Sequence, residues 1–214
     1  SAPRSMDGSS GWVLSGTCGW SDPSIARAGF YPRKATTASD KLPIYARRWQ
    51  AVEIDTSTYA IPTVRRVEEW ASKTPAGFVF SIKAFGLFAS KACPANALPA
   101  DIRGLHAEAL APLGSTLAYD TLPGDVLDSV WARFNDTVDA LVRAGKLGAV
   151  VFQFNRGFLP GPAAAAHVCE CRRRLHRSAA MAVEFRSHAW FSGAWGEPGA
   201  AAQAAFDPEA AVRD

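Results

Sequence analysis

Cysteine is scarce in this chain: four residues, Cys18, Cys93, Cys169 and Cys171, are scattered along 214 positions. Small secreted domains stapled by disulfides are shorter and denser in cysteine, so a reducing, intracellular and cytoplasmic setting is expected. No hydrophobic signal core is visible, although a targeting peptide already removed would leave no trace. Also missing is any apolar run near the ~20 residues of a membrane-spanning helix, so no membrane partner is expected. Charge of one sign is not in large surplus, and the net +3 is too small to imply nucleic acid by itself. A zinc-type ligand set is absent as well. Cys169-Glu170-Cys171 has no second pair at zinc spacing, and residues two apart on a helix do not share a face.

What is present can build a sizeable core. Hydrophobic residues make up 48% of the chain and charged ones 20%, with seven Trp and twelve Phe, which suits one domain of several packed layers. The ends differ from the middle. Residues 1–11 are small, polar and rich in Gly and Ser, and read as a flexible leader ahead of the body at 12–191. Residues 192–214 are rich in Ala, show no further strand pattern, and read as a truncated or divergent tail.

Five β-type runs, at 12–18, 51–56, 78–83, 148–154 and 181–186, alternate with helical patterns, which predicts parallel βα units. Leu42, Tyr45 and Trp49 recur at helical spacing and predict a helix ending near Gln50. Pro62 fits the first turn of the next helix, whose stripe is Val64, Val67 and Trp70 and which should stop near Thr74-Pro75. Residues 84–126 break the rhythm with Pro94, Pro99, Pro112 and Pro123 and with Gly104, Gly114 and Gly124, and predict an excursion carrying a short helix near 101–111. It leaves the end of the third strand, so it should lie at the sheet's C-terminal mouth, where it can serve as a lid. Val130, Phe134, Val138 and Leu141 then mark a long helix over 126–144, and a further helix is expected over about 161–175.

Strand parity bears most directly on function. Side chains alternate faces, so Glu53 and Asp55 oppose Val52 and Ile54, and Ser81 and Lys83 oppose Phe80 and Ile82. Gln153 likewise opposes Phe152 and Phe154, and Glu184 and Arg186 oppose Val183 and Phe185. With helices covering the apolar set, the polar set points inward, and several of its members fall at strand C-termini, where barrel enzymes keep their chemistry.

These residues and their flanks resemble the YecE-like family, catalogued as domain of unknown function 72. The resemblance begins at Gly16-Thr17-Cys18-Gly19-Trp20 and Phe30-Tyr31-Pro32. It is most specific from Val52-Glu53-Ile54-Asp55-Thr56-Ser57 through Thr58-Tyr59-Ala60-Ile61-Pro62. It returns at Phe80-Ser81-Ile82-Lys83, Ala97-Leu98-Pro99, Lys146-Leu147-Gly148 and Phe152-Gln153-Phe154, and ends at Val183-Glu184-Phe185-Arg186 with Trp190. It implies a parallel (β/α) TIM-type barrel, here incomplete, holding about the first five βα units. The chain also departs from the family pattern. Cys18 stands for the usual Ser, Thr58 for an aromatic, Ala89-Ser90-Lys91 for a Thr-Gly-His triplet and Asn155-Arg156 for a Pro pair. Ser187 occupies the place of a His, with His188 one position late. If those histidines move protons in the family, this chain is altered or inactive.

The candidate catalytic set is Glu53, Lys83, Glu184 and Arg186, converging from three strands. Its cations suit a carboxylate, a phosphate or sugar hydroxyls, and a carboxylate is available as general base. The alternative is a paired polar network filling a narrow barrel. Substrate-binding candidates are Trp20, Asp55, Tyr59, Gln153 and Trp190, aromatic walls and hydrogen-bonding groups of a small-molecule pocket. Burial of Lys83 would open Schiff-base chemistry if it lowered the amine's pKa. No cofactor is evident, and Glu53, Asp55 and Glu184 supply oxygen ligands for a divalent metal at most. Arg47-Arg48, Arg65-Arg66 and Arg172-Arg173-Arg174 with His176 and Arg177 are read first as solvated helix faces. His106, His167 and His176 are read as surface or helix residues. Three functions compete: an enzyme for a small polar, sugar-like or anionic substrate, a non-catalytic ligand- or partner-binding module derived from one, and nucleic-acid contact through the basic helices. An open sheet edge would also favour oligomers.

Overall fold

The computed structural model describes residues 13–191, and in it the βα alternation becomes one twisted layer of strands with helices on a single face. The expected leader and Ala-rich tail lie outside the described residues. The elements are β1 (Gly16–Cys18), α1 (Pro23–Arg27), α2 (Ala38–Tyr45), β2 (Ala51–Ile54), α3 (Val64–Ser72) and β3 (Val79–Lys83). They continue with α4 (Gly86–Ala89), β4 (Ala92–Pro94), α5 (Ala100–Leu105), α6 (Ala107–Leu110) and β5 (Thr116–Ala118). The last are α7 (Gly124–Arg143), β6 (Leu147–Phe154), α8 (Pro162–Arg174) and β7 (Ala180–Phe185).

Five strands form a wholly parallel sheet in the order β1-β2-β3-β6-β7. The expected sequential order of the five βα strands therefore holds. The sheet does not close among the described residues: β1 and β7 are its two edges, the places to which the sequence reading assigns oligomer formation. Val52, Ile54, Phe80, Ile82, Val150, Phe152 and Phe154 lie against the helices and are buried. The predicted stripe of α7 (Val130, Phe134, Val138 and Leu141) is buried against them. Phe88 stacks on Trp131 with ring centroids 3.7 Å apart, and Trp131 in turn faces Phe152.

Local chemistry explains where elements start and stop. Thr37 and Asp40 form a reciprocal capping box at the head of α2. Thr63 accepts from Arg66 N as the cap of α3, so Pro62 precedes that helix rather than sitting in its first turn. The helix with Leu42 and Tyr45 ends at Tyr45, and Trp49 stacks back on Tyr45 from the following loop. The Lys146 ammonium donates at 2.7 Å to Ala71 O, Thr74 O and Thr74 Oγ1, which holds the end of α3 against the start of β6.

Two features were not foreseen in the sequence. The register between β3 and β6 shifts between Phe80 and Ile82, where three steps on β6 match two on β3. Gly148 lies at that bulge, and a Cβ there would come within 2.7 Å of Val79 Cγ1. The excursion, moreover, is not a loop with one helix. The expected helix near 101–111 is split into α5 and α6, and β4 pairs with β5 in an antiparallel ribbon. Leu98, Ile102, Leu117, Tyr119 and Leu122 give the excursion its own buried residues.

Candidate functional site

The C-terminal ends of β2 and β3 are drawn together by Ser57, which follows β2 in a single 3-10 turn over Asp55–Thr58. Its buried hydroxyl lies 2.7 Å from both Ile54 O and Lys83 O. This residue was quoted within a motif but given no role by sequence reasoning. Its signal was the Asp55-Thr56-Ser57 run just beyond the strand, residue types common in turns.

Parity then delivers the polar row onto the uncovered face. Lys83 Nζ donates to Asp55 Oδ1 at 2.5 Å and to Gln153 Oε1 at 3.3 Å, and lies 3.4 Å from Glu53 Oε1. Gln153 Nε2 donates onward to Glu184 Oε2 at 2.5 Å, and Glu184 Oε1 accepts from Arg186 Nε at 2.9 Å. The row thus runs continuously from β2 across β3 and β6 to β7. All four candidate catalytic residues, with Asp55 and Gln153, belong to it.

Burial is uneven along the row. The Lys83 side chain is 11% exposed and that of Glu53 21%, whereas Glu184 and Arg186 are 47% and 50% exposed. One carboxylate–cation pair, Lys83 with Glu53, is therefore largely shielded, while the pair on β7 is half open. As an edge strand β7 has a neighbour on one side only, and for the same reason Val183, predicted to meet the helices, is also exposed.

Electrostatics follow the geometry. Burial pulls the Lys83 ammonium down, but the hydrogen bond to Asp55 and the charges of Glu53 and Asp55 outweigh it and raise its pKa. Schiff-base chemistry needs the opposite shift, so Lys83 is suited to hold and orient charge rather than to attack. Hydrogen bonds from Gln153 and Arg186 hold the Glu184 carboxyl below its usual range. Cys18, paired in register with Glu53, hydrogen-bonds to that carboxylate, which together with burial pushes the thiol up.

The aromatic candidates divide. Tyr59 is 72% exposed just beyond β2. Trp20 is buried, donates from Nε1 to Ala38 O at 2.8 Å and meets Trp70 edge-on, so it packs the core rather than walling the cavity beside Lys83. Trp190 is buried too, stacked on Phe185 at 3.9 Å and donating to Phe158 O. Both bury their rings because each indole N–H finds a backbone acceptor.

Around the row are two openings. A cavity of about 100 Å³ is lined by Lys83, Ser90, Gln153, Asn155 and Arg186 among others. A wider cleft of about 250 Å³ is formed by Arg156, Arg186, Ser187 and His188. Ser90 places the start of the excursion at the mouth, as expected. The body of the excursion is tied down: Asp101 pairs with Arg133, His106 with Ser129, and the Tyr119 hydroxyl donates to Glu170 at 3.0 Å. That is the anchoring of a wall, not of a hinged lid.

Among the described residues no group of three or more His, Cys, Asp and Glu is arranged to hold a metal, and Lys83 engages both Glu53 and Asp55. Cys171 is buried, which pushes its thiol to about 12, and His167, on helix α8, is buried beside Tyr119 and within 2.8 Å of Phe88 O. In the basic helix α8, the Arg174 charge is taken up by Glu170 and Asp128. No helix among the described residues is long and apolar enough to cross a membrane.

Comparison with known proteins adds three findings. The sequence pattern of the family described as "Protein of unknown function DUF72" matches residues 14–201. UPF0759 protein YunF of Bacillus subtilis (strain 168) is 27% identical over 180 residues, covering 84% of this chain and 52% of that protein. A DUF72 family protein from Enterococcus faecalis V583 superposes with a TM-score of 0.59 at 22% identity, over 82% of this chain and 51% of that one. Another from Thermotoga maritima MSB8 gives 0.54 at 19%, over 81% and 55%. At these identities the structural likeness concerns the fold. The chain spans about half the length of the relatives it matches.

Proposed function

Because the chain belongs to the DUF72 family, we propose that its sheet is the front five βα units of a parallel TIM-type barrel, and that the polar row at the strand ends acts on a small polar, sugar-like or anionic substrate. The observation that carries this reading is the Lys83 ammonium, mostly shielded and held at once by Asp55, Glu53 and Gln153 from both neighbouring strands. A network of this kind sits where barrel enzymes place their chemistry, on strand ends beneath loops. Glu53 and Glu184 supply carboxylates for taking a proton from a substrate hydroxyl, and Lys83 and Arg186 face the developing oxyanion. Gln153 fixes the spacing of the two halves, and Asp55 keeps Lys83 charged. Tyr59 offers an aromatic face at the rim for a sugar ring.

A non-catalytic binding module is the second reading, favoured by one observation. Of the positions that depart from the family resemblance, Thr58, Ala89, Ser90, Asn155, Arg156, Ser187 and His188 line the openings around the row, whereas Cys18 and Lys91 do not. The fold alone does not choose between the two.

Thermal unfolding in the presence of sugars, sugar phosphates and sugar acids tests the site. A ligand at about a hundredfold over its Kd should stabilise the protein by about 2.7 kcal/mol. Glu53→Gln, which keeps shape and removes charge, should abolish that gain. If no compound in the panel stabilises the protein, or if Glu53→Gln leaves the gain intact, the site reading is lost. Turnover of a stabilising compound selects the enzyme, and binding without turnover selects the module.

A further inference from the structure

The row is polarised from end to end. On the β1–β2 side, Glu53 and Asp55 outnumber the one cation, Lys83, that they share, and the Cys18 thiol donates to Glu53. On the β7 side the balance reverses. Glu184 is committed to Gln153 and to Nε of Arg186, while the recorded bond of Arg186 uses one of its five N–H donors. Beyond it, Arg156 makes no ion pair and no side-chain hydrogen bond with any described residue. The cleft of about 250 Å³ between them is lined by Arg156, Arg186, Ser187 and His188, with no carboxylate in its wall among the described residues. Two guanidiniums, a hydroxyl and an imidazole line one opening, and Glu184 engages only Nε of Arg186, so the lining is rich in hydrogen-bond donors.

We propose that this cleft binds an oxyanion group, a phosphate or carboxylate, carried by the substrate whose reactive end lies at Lys83. The inference rests on the site reading above and deepens it by assigning the substrate's two ends. Arg186 is the shared wall of both openings, so a ligand anchored by its anion in the cleft extends along Arg186 into the cavity that Lys83, Ser90 and Gln153 line. The anchoring guanidinium is Arg156, whose fork of N–H donors matches two oxygens of either anion. Arg156, Ser187 and His188 are positions at which the chain departs from the family it resembles. The cleft therefore sets specificity in this chain rather than a reaction common to its relatives.

The test titrates inorganic phosphate and malonate separately into the whole chain by calorimetry, with Arg156→Ala and Glu53→Gln alongside. Arg156 is exposed and makes no ion pair with a described residue, so its removal leaves the fold intact, which circular dichroism checks. At least one anion should bind, and Arg156→Ala should weaken it about tenfold or more, equal to about 1.4 kcal/mol. Arg156→Lys should recover part of the loss, since it restores charge but not the fork. Tighter phosphate than malonate assigns a phosphoryl group, and the reverse a carboxylate. The inference is overturned if neither anion binds below about 20 mM, or if Arg156→Ala changes affinity by less than about twofold. Glu53→Gln distinguishes the two readings. It should leave anion affinity within about threefold while removing stabilisation by the larger panel compounds. Anion binding indifferent to Arg156, with panel binding still lost in Glu53→Gln, removes the cleft and keeps the site. Arg156-dependent anion binding with no effect of Glu53→Gln on any panel compound removes the site reading on which the assignment of ends rests.

Discussion

On the helix-covered face of the sheet, Val52, Ile54, Phe80, Ile82, Val150, Phe152 and Phe154 are buried together. On the other face, the alternate residues of the same strands place Glu53, Asp55, Lys83, Gln153, Glu184 and Arg186 in one hydrogen-bonded line. The covered face is uniform from β2 to β6, because helices meet it throughout. The open face is graded: well shielded at Lys83, half open at Glu184. What separates the two ends of that line is the number of neighbouring strands, two for β3 and one for β7. Charge on this sheet is shielded by its neighbours in the row rather than by a covering layer.

The comparison can be broken at three depths. The largest effect belongs to the covered face. Phe152→Ala removes a ring packed against Trp131 and Phe154, and should cost about 3–5 kcal/mol in urea unfolding. A loss below about 1 kcal/mol would mean that the face is not a close-packed core. Next comes the centre of the open face. Lys83→Met leaves Asp55 and Glu53 facing each other without their cation. Its environment lies between a buried pair and an exposed one, so a loss of about 2 kcal/mol is expected by the same measurement. An unchanged midpoint would show that the row holds nothing together.

The smallest effect is at the edge, and it is one of pH. The Glu184 carboxyl is held below its usual value in the folded chain, so its contribution to stability is present above the ordinary carboxylate range. That contribution is lost as pH falls through the depressed folded value. Melting temperatures taken from neutral pH down through the acid range should therefore fall less steeply in Glu184→Gln than in the parent. At neutral pH the substitution itself should cost under about 1 kcal/mol, as exposed pairs do. Parallel acid profiles for the two proteins would assign the edge pair no role in stability.

Some features of the site were readable without coordinates because a strand's period of two is a local property. Once 51–56 and 78–83 are read as strands, Glu53 and Lys83 must share a face with Asp55 and oppose Ile54 and Ile82. The same logic could not see the bulge opposite Phe80, which depends on how closely Gly148 approaches Val79 and Ser81 on another strand. It misjudged Trp20 and Trp190 as pocket walls, because an aromatic after a strand end looks the same whether it faces a ligand or a backbone carbonyl. The ribbon of β4 and β5 escaped for a related reason. Three-residue strands separated by more than twenty residues leave no periodicity, and their pairing exists only once the chain has returned on itself.

The sequence by itself determined the five strands and their order, the helices between them, and which side chains stand on each face. Hydrophobic period and turn chemistry act over a few residues and need no partner. Tertiary structure alone decided how far each polar group is shielded, which carboxylates Lys83 takes, and that Arg156 and Arg186 border one cleft. Those outcomes depend on strand neighbours and on distances between segments dozens of residues apart, which one-dimensional patterning does not encode.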